Sequence, residues 1–292
     1  MTGMIIKAIG GVYTVEASEG IYECKARGIF RKKGISPMCG DRVEISAETS
    51  GAYVICEIFE RKNELIRPPL ANLDLLLFVT SVKEPSPNYL LLDKFIAIAE
   101  YKKITPALVI TKIDMGEFNE IVEIYRKANI PVFPVNNVTG EGSGDVKNFI
   151  GGKLCAFTGN TGVGKSSLLN CMFPELKLST GEISKKLGRG RHTTRHVELF
   201  RIPDGGYIAD TPGFSSFDTN RYDIIFKDKL SGCFREFAEF EGDCRFPDCS
   251  HTAEKGCAVI AAVEDGRIPK SRHESYVEMY NQAKQLKEWE YK

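Results

Sequence analysis

The sequence predicts a multidomain chain: an N-terminal β-barrel, a central α/β domain, and a C-terminal, mainly helical domain. Three observations carry this reading. Short strands separated by Gly/Ser/Asp-rich turns fill residues 1–68. From residue 69 to 225, near-continuous apolar runs alternate with helical spacing, the pattern of a parallel sheet buried on both faces. Residues 226–292 hold three cysteines and a histidine close together in a polar segment between helical stretches.

The first part has strands at Gly11–Val15, Ile21–Lys25, Asp41–Ile45 and Tyr53–Ile58. Such spacing suggests a small barrel of the oligonucleotide-binding (OB) type. The connection Ala26–Gly34 is basic and carries one aromatic, Phe30, a combination suited to a cationic groove with a stacking ring. The charges of the whole segment nearly balance, with ten Lys/Arg against nine Asp/Glu in residues 1–68. Arg67-Pro68-Pro69 reads as a linker, because consecutive prolines end a sheet ladder.

In the second part, Leu73–Thr80 and Pro106–Ile110 are buried strands, with a helix over Asn88–Lys103 between them. A helix over Phe118–Ala128 and a strand over Ile130–Val135 follow. Strand Lys153–Thr158 then runs into Gly159-Asn160-Thr161-Gly162-Val163-Gly164-Lys165-Ser166, which fits G-x-x-x-x-G-K-[ST] at every specified position. Glycines let the backbone N–H groups close on a polyphosphate, and the helix beginning at Ser166 and Ser167 adds its N-terminal partial charge. Lys165 is a point charge for the β/γ-phosphates, and the Ser166 hydroxyl is placed to ligate Mg²⁺; Ser167 is counted with the loop as nucleotide-binding.

Two further motifs narrow the ligand. Thr111-Lys112-Ile113-Asp114 ends a parallel strand, where doubly wound sheets bind ligands. The Asp114 carboxylate can accept from guanine N1–H and its 2-amino group while Lys112 packs along the base; adenine offers neither donor. Val135–Gly140 is a candidate second base loop, with Asn136 or Asn137 giving a backbone N–H to the guanine oxygen. Strands His196–Ile202 and Tyr207–Asp210 lead to Asp210-Thr-Pro-Gly213, in which Asp210 suits an outer Mg²⁺ carboxylate and Gly213 a γ-phosphate contact. The polar, basic segment Ile183–Arg195 has little apolar surface to dock and is expected to order around a γ-phosphate and Mg²⁺. Thr193 or Thr194 completes the Mg²⁺ shell; spacing does not choose between them, and Thr194 is favoured.

In the third part, Cys244, Cys249, His251 and Cys257 give C-x₄-C-x-H-x₅-C. Three thiolates and an imidazole suit one structural, four-coordinate zinc with no open position. Cys233 falls outside the pattern and reads as a buried thiol. Helices are expected over Phe226–Phe240 and Cys257–Asp265. Ser271–Lys292, which mixes Lys with Glu and ends in Trp289 and Tyr291, reads as a solvated helix, with an RNA-contacting tail as the weaker alternative.

The base-reading motifs precede the phosphate loop instead of following Asp-x-x-Gly, the order of a circularly permuted GTPase. With the barrel in front and the Cys/His cluster behind, the whole chain closely resembles the bacterial ribosome-small-subunit-dependent GTPase A family. The resemblance implies an OB barrel that contacts ribosomal RNA, GTP hydrolysis stimulated by the small subunit, and a role in late subunit maturation. Two departures stand out. The base-reading motif usually begins with Asn where this chain has Thr111, which weakens scaffold contacts and spares Asp114. The base loop usually reads Ser-Ala, here Asn136-Asn137.

The residue after Asp-x-x-Gly is Phe214, which cannot orient the attacking water, so slow intrinsic turnover is expected. By residue type His192 is either an exposed loop residue or a general acid–base; the resemblance favours catalysis. Arg189, Arg191 and Arg195 suit phosphate charge or RNA equally. The competing reading is an RNA-binding assembly chaperone with GTP as a slow structural ligand. A zero net charge from 39 basic and 39 acidic residues requires any RNA surface to arise by local segregation of charge. Nine cysteines without a signal-peptide layout, and no apolar run long enough to span a bilayer, lead us to expect a cytoplasmic protein. No heptad pattern is seen, so a monomer is expected.

Overall fold

A computed structural model of the chain describes residues 1–174, 197–210 and 224–287. The barrel is built from β1 (Thr2–Ile9), β2 (Val12–Ala17), β3 (Gly20–Ala26), a short helix α1 (Gly28–Lys32), β4 (Arg42–Ala47) and β5 (Tyr53–Ile58). The strand order β1-β2-β3-β5-β4 closes through a β1–β4 pairing, giving five strands with no free edge between first and last. Alternation puts Ile5, Val15, Cys24, Val43, Ile45 and Ile55 inside, each at most 1% exposed. Phe30 corrects the sequence reading. It is buried on the inner side of α1, so it fills the core and offers no ring for a base to stack on.

Arg67-Pro68-Pro69 also differs from an open linker. The prolines lie in the connection between β6 (Glu64–Leu65) and β7 (Leu70–Ala71), which pair with each other and bury Leu65, Leu70 and Ala71 beside Cys39. Arg61 closes this corner, holding both oxygens of the buried Asp41 at 2.7 and 2.8 Å and also bonding Glu64.

The central sheet follows: β8 (Leu75–Ser81), α2 (Tyr89–Tyr101), β9 (Thr105–Thr111), α3 (Asn119–Lys127), β10 (Val132–Val135), α4 (Ser143–Ile150), β11 (Leu154–Thr158) and α5 (Lys165–Met172). Asn88 caps α2 by accepting from Leu91 N–H, which sets where that helix starts. β12 (Val197–Arg201) and β13 (Tyr207–Asp210) complete the sheet, in the spatial order β10-β9-β8-β11-β13-β12. All pairs are parallel except β12–β13. β8 and β11 are buried at every residue, as their unbroken apolar runs require.

β12 also pairs antiparallel with β1, making one continuous eleven-stranded sheet from barrel and central domain. Lys7–Glu198 and Arg201–Glu16, both 2.9 Å, flank the seam; the Tyr207 hydroxyl donates to Glu16 at 2.7 Å.

The C-terminal region departs from the sequence reading in two places. Instead of one helix over 226–240 there is α6 (Lys227–Leu230), followed by single 3₁₀ turns at Ser231–Cys233 and Arg235–Phe237. The tighter winding lets Phe234 and Phe237 both turn inward, each at most 1% exposed. α7 (Ala258–Glu264) lies as expected. α8 (Lys270–Ala283) is no solvated helix: Arg272, Ser275, Tyr276 and Ala283 are buried. Trp289 and Tyr291 lie outside the described residues.

Candidate functional site

β8, β9 and β11 end side by side, and the connections leaving them form the site. After β11 the chain must turn tightly, and glycines take the left-handed backbone this requires: φ is 144° at Gly159, 85° at Gly162 and 91° at Gly164. A Cβ at Gly159 would lie 2.1 Å from the Val79 carbonyl oxygen, so the loop sits directly on β8. Gly164 is the N-cap of α5, aiming that helix's free N–H groups at the loop. Lys165 donates to the carbonyls of Gly159 and, at 3.0 Å, Asn160. Burial lowers its ammonium to about 8, and no carboxylate pairs with it among the described residues. Ser166 is half-buried and Ser167 exposed; Asn160 is half-buried, Thr161 exposed and Val163 buried.

The candidate base-reading residues meet this loop. Thr111 is fully buried, and its hydroxyl donates to Val163 O and to Thr80 O. Lys112 takes a left-handed backbone and its ammonium donates to Glu84 O. Ile113 packs on the core, and the single 3₁₀ turn Ile113–Met115 leaves Asp114 exposed. In the candidate base loop, Asn136 is buried and its Oδ1 accepts from Val138 N–H (2.9 Å) and Thr139 N–H (3.3 Å). Its own N–H donates to Glu141 O. Asn137 Nδ2 donates to Gly164 O at 3.1 Å, a contact that sequence reasoning missed.

Asp210 ends β13 beside the phosphate-loop strand, its backbone paired with Glu198. His192, Thr193, Thr194, Gly213, Phe214, Arg189, Arg191 and Arg195 lie outside the described residues.

The second site is the Cys/His cluster. The ligand atoms of Cys244, Cys249, His251 and Cys257 lie within 4.8 Å of one another. Cys244 Sγ is 3.6 Å from His251 Nδ1 and 3.8 Å from Cys257 Sγ, and His251 Nδ1 is 3.4 Å from Cys257 Sγ. His251 takes a left-handed backbone (φ 56°), and its carbonyl lies 2.7 Å from His273 Nε2. Two backbone N–H groups point at sulfur, Ala258 at Cys244 and Ile260 at Cys257. Burial, with Cys257 and Cys244 adding to it, pushes the Cys249 thiol up to about 12, so the thiolate needs a cation beside it. The donor set is that of a metal site. Cys233 stands apart as a buried thiol, bonded to Lys229 O.

A parallel sheet whose phosphate-loop strand follows its base-reading strands is that of a circularly permuted P-loop GTPase. The family model described as RsgA GTPase matches residues 58–220, that of the RsgA N-terminal domain residues 2–55, and one described as a 50S ribosome-binding GTPase residues 154–288. The small ribosomal subunit biogenesis GTPase RsgA of Caldanaerobacter subterraneus subsp. tengcongensis is 43% identical over 293 aligned residues, 99% of this chain and 98% of the relative. That of Geobacillus kaustophilus is 43% identical over 291, covering 98% of each. Among solved structures, YjeQ from Thermotoga maritima superposes with a TM-score of 0.81 at 32% identity, over 98% of this chain and 99% of that one. YloQ, titled a circularly permuted GTPase, gives 0.80 at 36%, over 98% and 96%. The chain belongs to the RsgA GTPase family.

Proposed function

We propose that this protein binds the small ribosomal subunit, hydrolyses GTP in response to it, and acts late in its maturation. The observation that carries this is the 43% identity along 99% of the chain to a relative named for small-subunit biogenesis. The division into 1–68, 69–225 and 226–292 gives each part a task. The barrel contacts ribosomal RNA: Lys25, Arg27, Arg31, Lys32 and Lys33 are all exposed on and around α1, with no acidic residue between them. Local segregation of charge of this kind attracts a phosphate backbone although the chain is neutral.

The central part is the timer. Asp114 reads guanine, the loop Gly159–Ser166 with Ser167 holds the phosphates, and Ser166 and Thr194 would hold Mg²⁺ with Asp210 as an outer carboxylate. Gly213 senses the γ-phosphate, and His192, in the segment Ile183–Arg195, acts in water activation when the subunit is bound. β12 directly follows that segment and is hydrogen-bonded to β1, which supports direct communication between nucleotide state and barrel.

Zinc suits the Cys₃His cluster. Bond lengths of roughly 2.3 Å to sulfur and 2.0–2.1 Å to nitrogen make tetrahedral edges of about 3.8 Å (S···S) and 3.6 Å (S···N). The distances of 3.8, 3.6 and 3.4 Å among Cys244, His251 and Cys257 approximate these. When bound, zinc supplies a structural cross-link; these four residues leave no position for a substrate.

Multiple-turnover GTP hydrolysis with and without purified small subunits tests the proposal. Stimulation by the subunit is the expected result; its absence favours the chaperone reading, with nucleotide as a structural ligand. No helix among the described residues is long and apolar enough to cross a membrane. The proposed work on the subunit is that of a cytoplasmic monomer.

A further inference from the structure

Two side chains from different loops reach main-chain carbonyls of the phosphate loop. Thr111, at the end of β9, donates to Val163 O, but its single hydroxyl hydrogen is shared with Thr80 O at 3.1 Å. Asn137, after β10, donates from Nδ2 to the next carbonyl, Gly164 O, at 3.1 Å. Both lie over one glycine: a Cβ at Gly164 would sit 2.8 Å from Asn137 Nδ2 and 3.6 Å from Thr111 Oγ1.

We infer that Asn137 is a positioning residue for the guanine nucleotide, supplying from the base loop the carboxamide contact that Thr111 cannot make. A nucleotide must span the base loop and the phosphate loop at once. A strap between them fixes their separation before the ligand arrives, so less binding free energy goes into ordering the site. The local bonding points the same way. Asn136 spends its side chain and its N–H inside its own loop, on Val138, Thr139 and Glu141, which leaves Asn137 to face the phosphate loop. Asn137 Oδ1 is buried and has no hydrogen-bond partner among the described residues, a liability that an apolar residue would not carry. The bond from Nδ2 is what the amide contributes.

The inference rests on the base lying between Asp114 and this loop, and the variants separate the two claims. Equilibrium binding of a fluorescent GDP analogue, with GTP as competitor, is measured on the full chain. Asn137→Ala is expected to weaken GDP and GTP alike by about tenfold. In hydrolysis the loss falls on KM more than on kcat, and the melting temperature of the nucleotide-free protein moves little. A merely structural loop staple would do the reverse. Thr111→Asn in the Asn137→Ala background returns an amide to the carbonyls and is expected to regain most of the affinity. Asn137→Asp keeps the size and removes the donor, so it is expected to bind at least as weakly as the alanine variant, and it stands in should that variant fail to fold.

Binding by Asn137→Ala within about twofold of the unchanged protein overturns the inference. So does an undiminished loss in the Thr111→Asn background, or full affinity in Asn137→Asp. Asp114→Asn tests the base site independently: if guanine preference survives it, the reading of the base site fails, whatever Asn137 does.

Discussion

Arg272 on α8 and Asp93 on α2 meet at 2.7 Å, each side chain only 1% exposed, across 179 positions of sequence. Arg272 also holds Glu236 through Nε (2.7 Å) and Nη2 (3.2 Å), and the Tyr125 hydroxyl donates to the same Asp93 oxygen at 2.9 Å. The guanidinium lies over the ring of Phe234, 4.5 Å from its centroid. Burial opposes its charge, but Asp93 and Glu236 outweigh that and hold the guanidinium above its ordinary pKa. The C-terminal region is thus fastened to the GTPase helices through a buried ion network.

Arg272→Met should therefore destabilise the protein by about 3–5 kcal/mol, because it strands two buried carboxylates. Neutralising them as well, in Arg272→Met with Asp93→Asn and Glu236→Gln, should recover a large part of the loss. Urea unfolding of the three proteins checks both statements. A single variant within about 1 kcal/mol of the parent would mean that water reaches these carboxylates.

Chelating the metal should loosen the same region from its other side. Cys257 begins α7, and the cluster packs on Phe237 and Tyr276, whose rings stand 4.9 Å apart near the His251 ring. A metal present at about a thousand times its dissociation constant stabilises the fold that binds it by about 4 kcal/mol. Strong chelators, or Cys257→Ser, should remove that amount and release one zinc per chain by elemental analysis. Acid should do the same, since protonated thiols do not bind metal. Unchanged near-ultraviolet circular dichroism after chelation would count against a structural role.

What could be read in advance was local. The runs of β8 and β11 and the glycines of the phosphate loop each follow from neighbouring residues, and the structure has both strands and the tight glycine turn where those residues indicate. The Cys/His spacing placed the cluster for the same reason. What could not be read depends on distant partners. α8 looked solvated because its central core residue is an arginine, and the carboxylates that make Arg272 a core residue lie 36 and 179 positions away. Phe30 looked like a base-stacking ring because nothing local says which side of a five-residue helix faces a barrel. The role of Asn137 left one trace, the missing amide at position 111, whose replacement came from a loop 26 residues later.

The lowered Lys165 ammonium makes nucleotide binding pH-dependent with a definite sign. Burial brings it from 10.5 to about 8. The nucleotide-free fold therefore carries the full cost of charging Lys165 below pH 8, and that cost fades as pH rises towards 10.5. Polyphosphate beside the ammonium favours its charged form, so binding raises the pKa and takes up a proton above pH 8. Affinity for GDP should fall between roughly pH 8 and 9, before guanine N1–H itself ionises. Titration calorimetry at pH 8.5 in two buffers of different ionisation enthalpy should register net proton uptake. Zero uptake would mean that Lys165 is already charged in the free loop.

Asp114→Asn should exchange the base that is read. Asp114 stands exposed on its 3₁₀ turn after β9, beside the strand end that Thr111 ties to Val163. As a carboxylate it can only accept, which matches the N1–H and 2-amino donors of guanine. Asparagine replaces one acceptor with a donor, set against the 2-amino group of guanine but matched to the 2-carbonyl of xanthine. A site built to hydrogen-bond one pattern rejects its mismatch strongly, because the buried groups are left unpaired. GTP affinity in the variant should drop by about a hundredfold or more, and xanthosine triphosphate should bind better than GTP. Thr111 and Asn137 are untouched, so the phosphate loop keeps its shape and the change falls on base choice alone. Equal losses for both triphosphates would place the base away from Asp114.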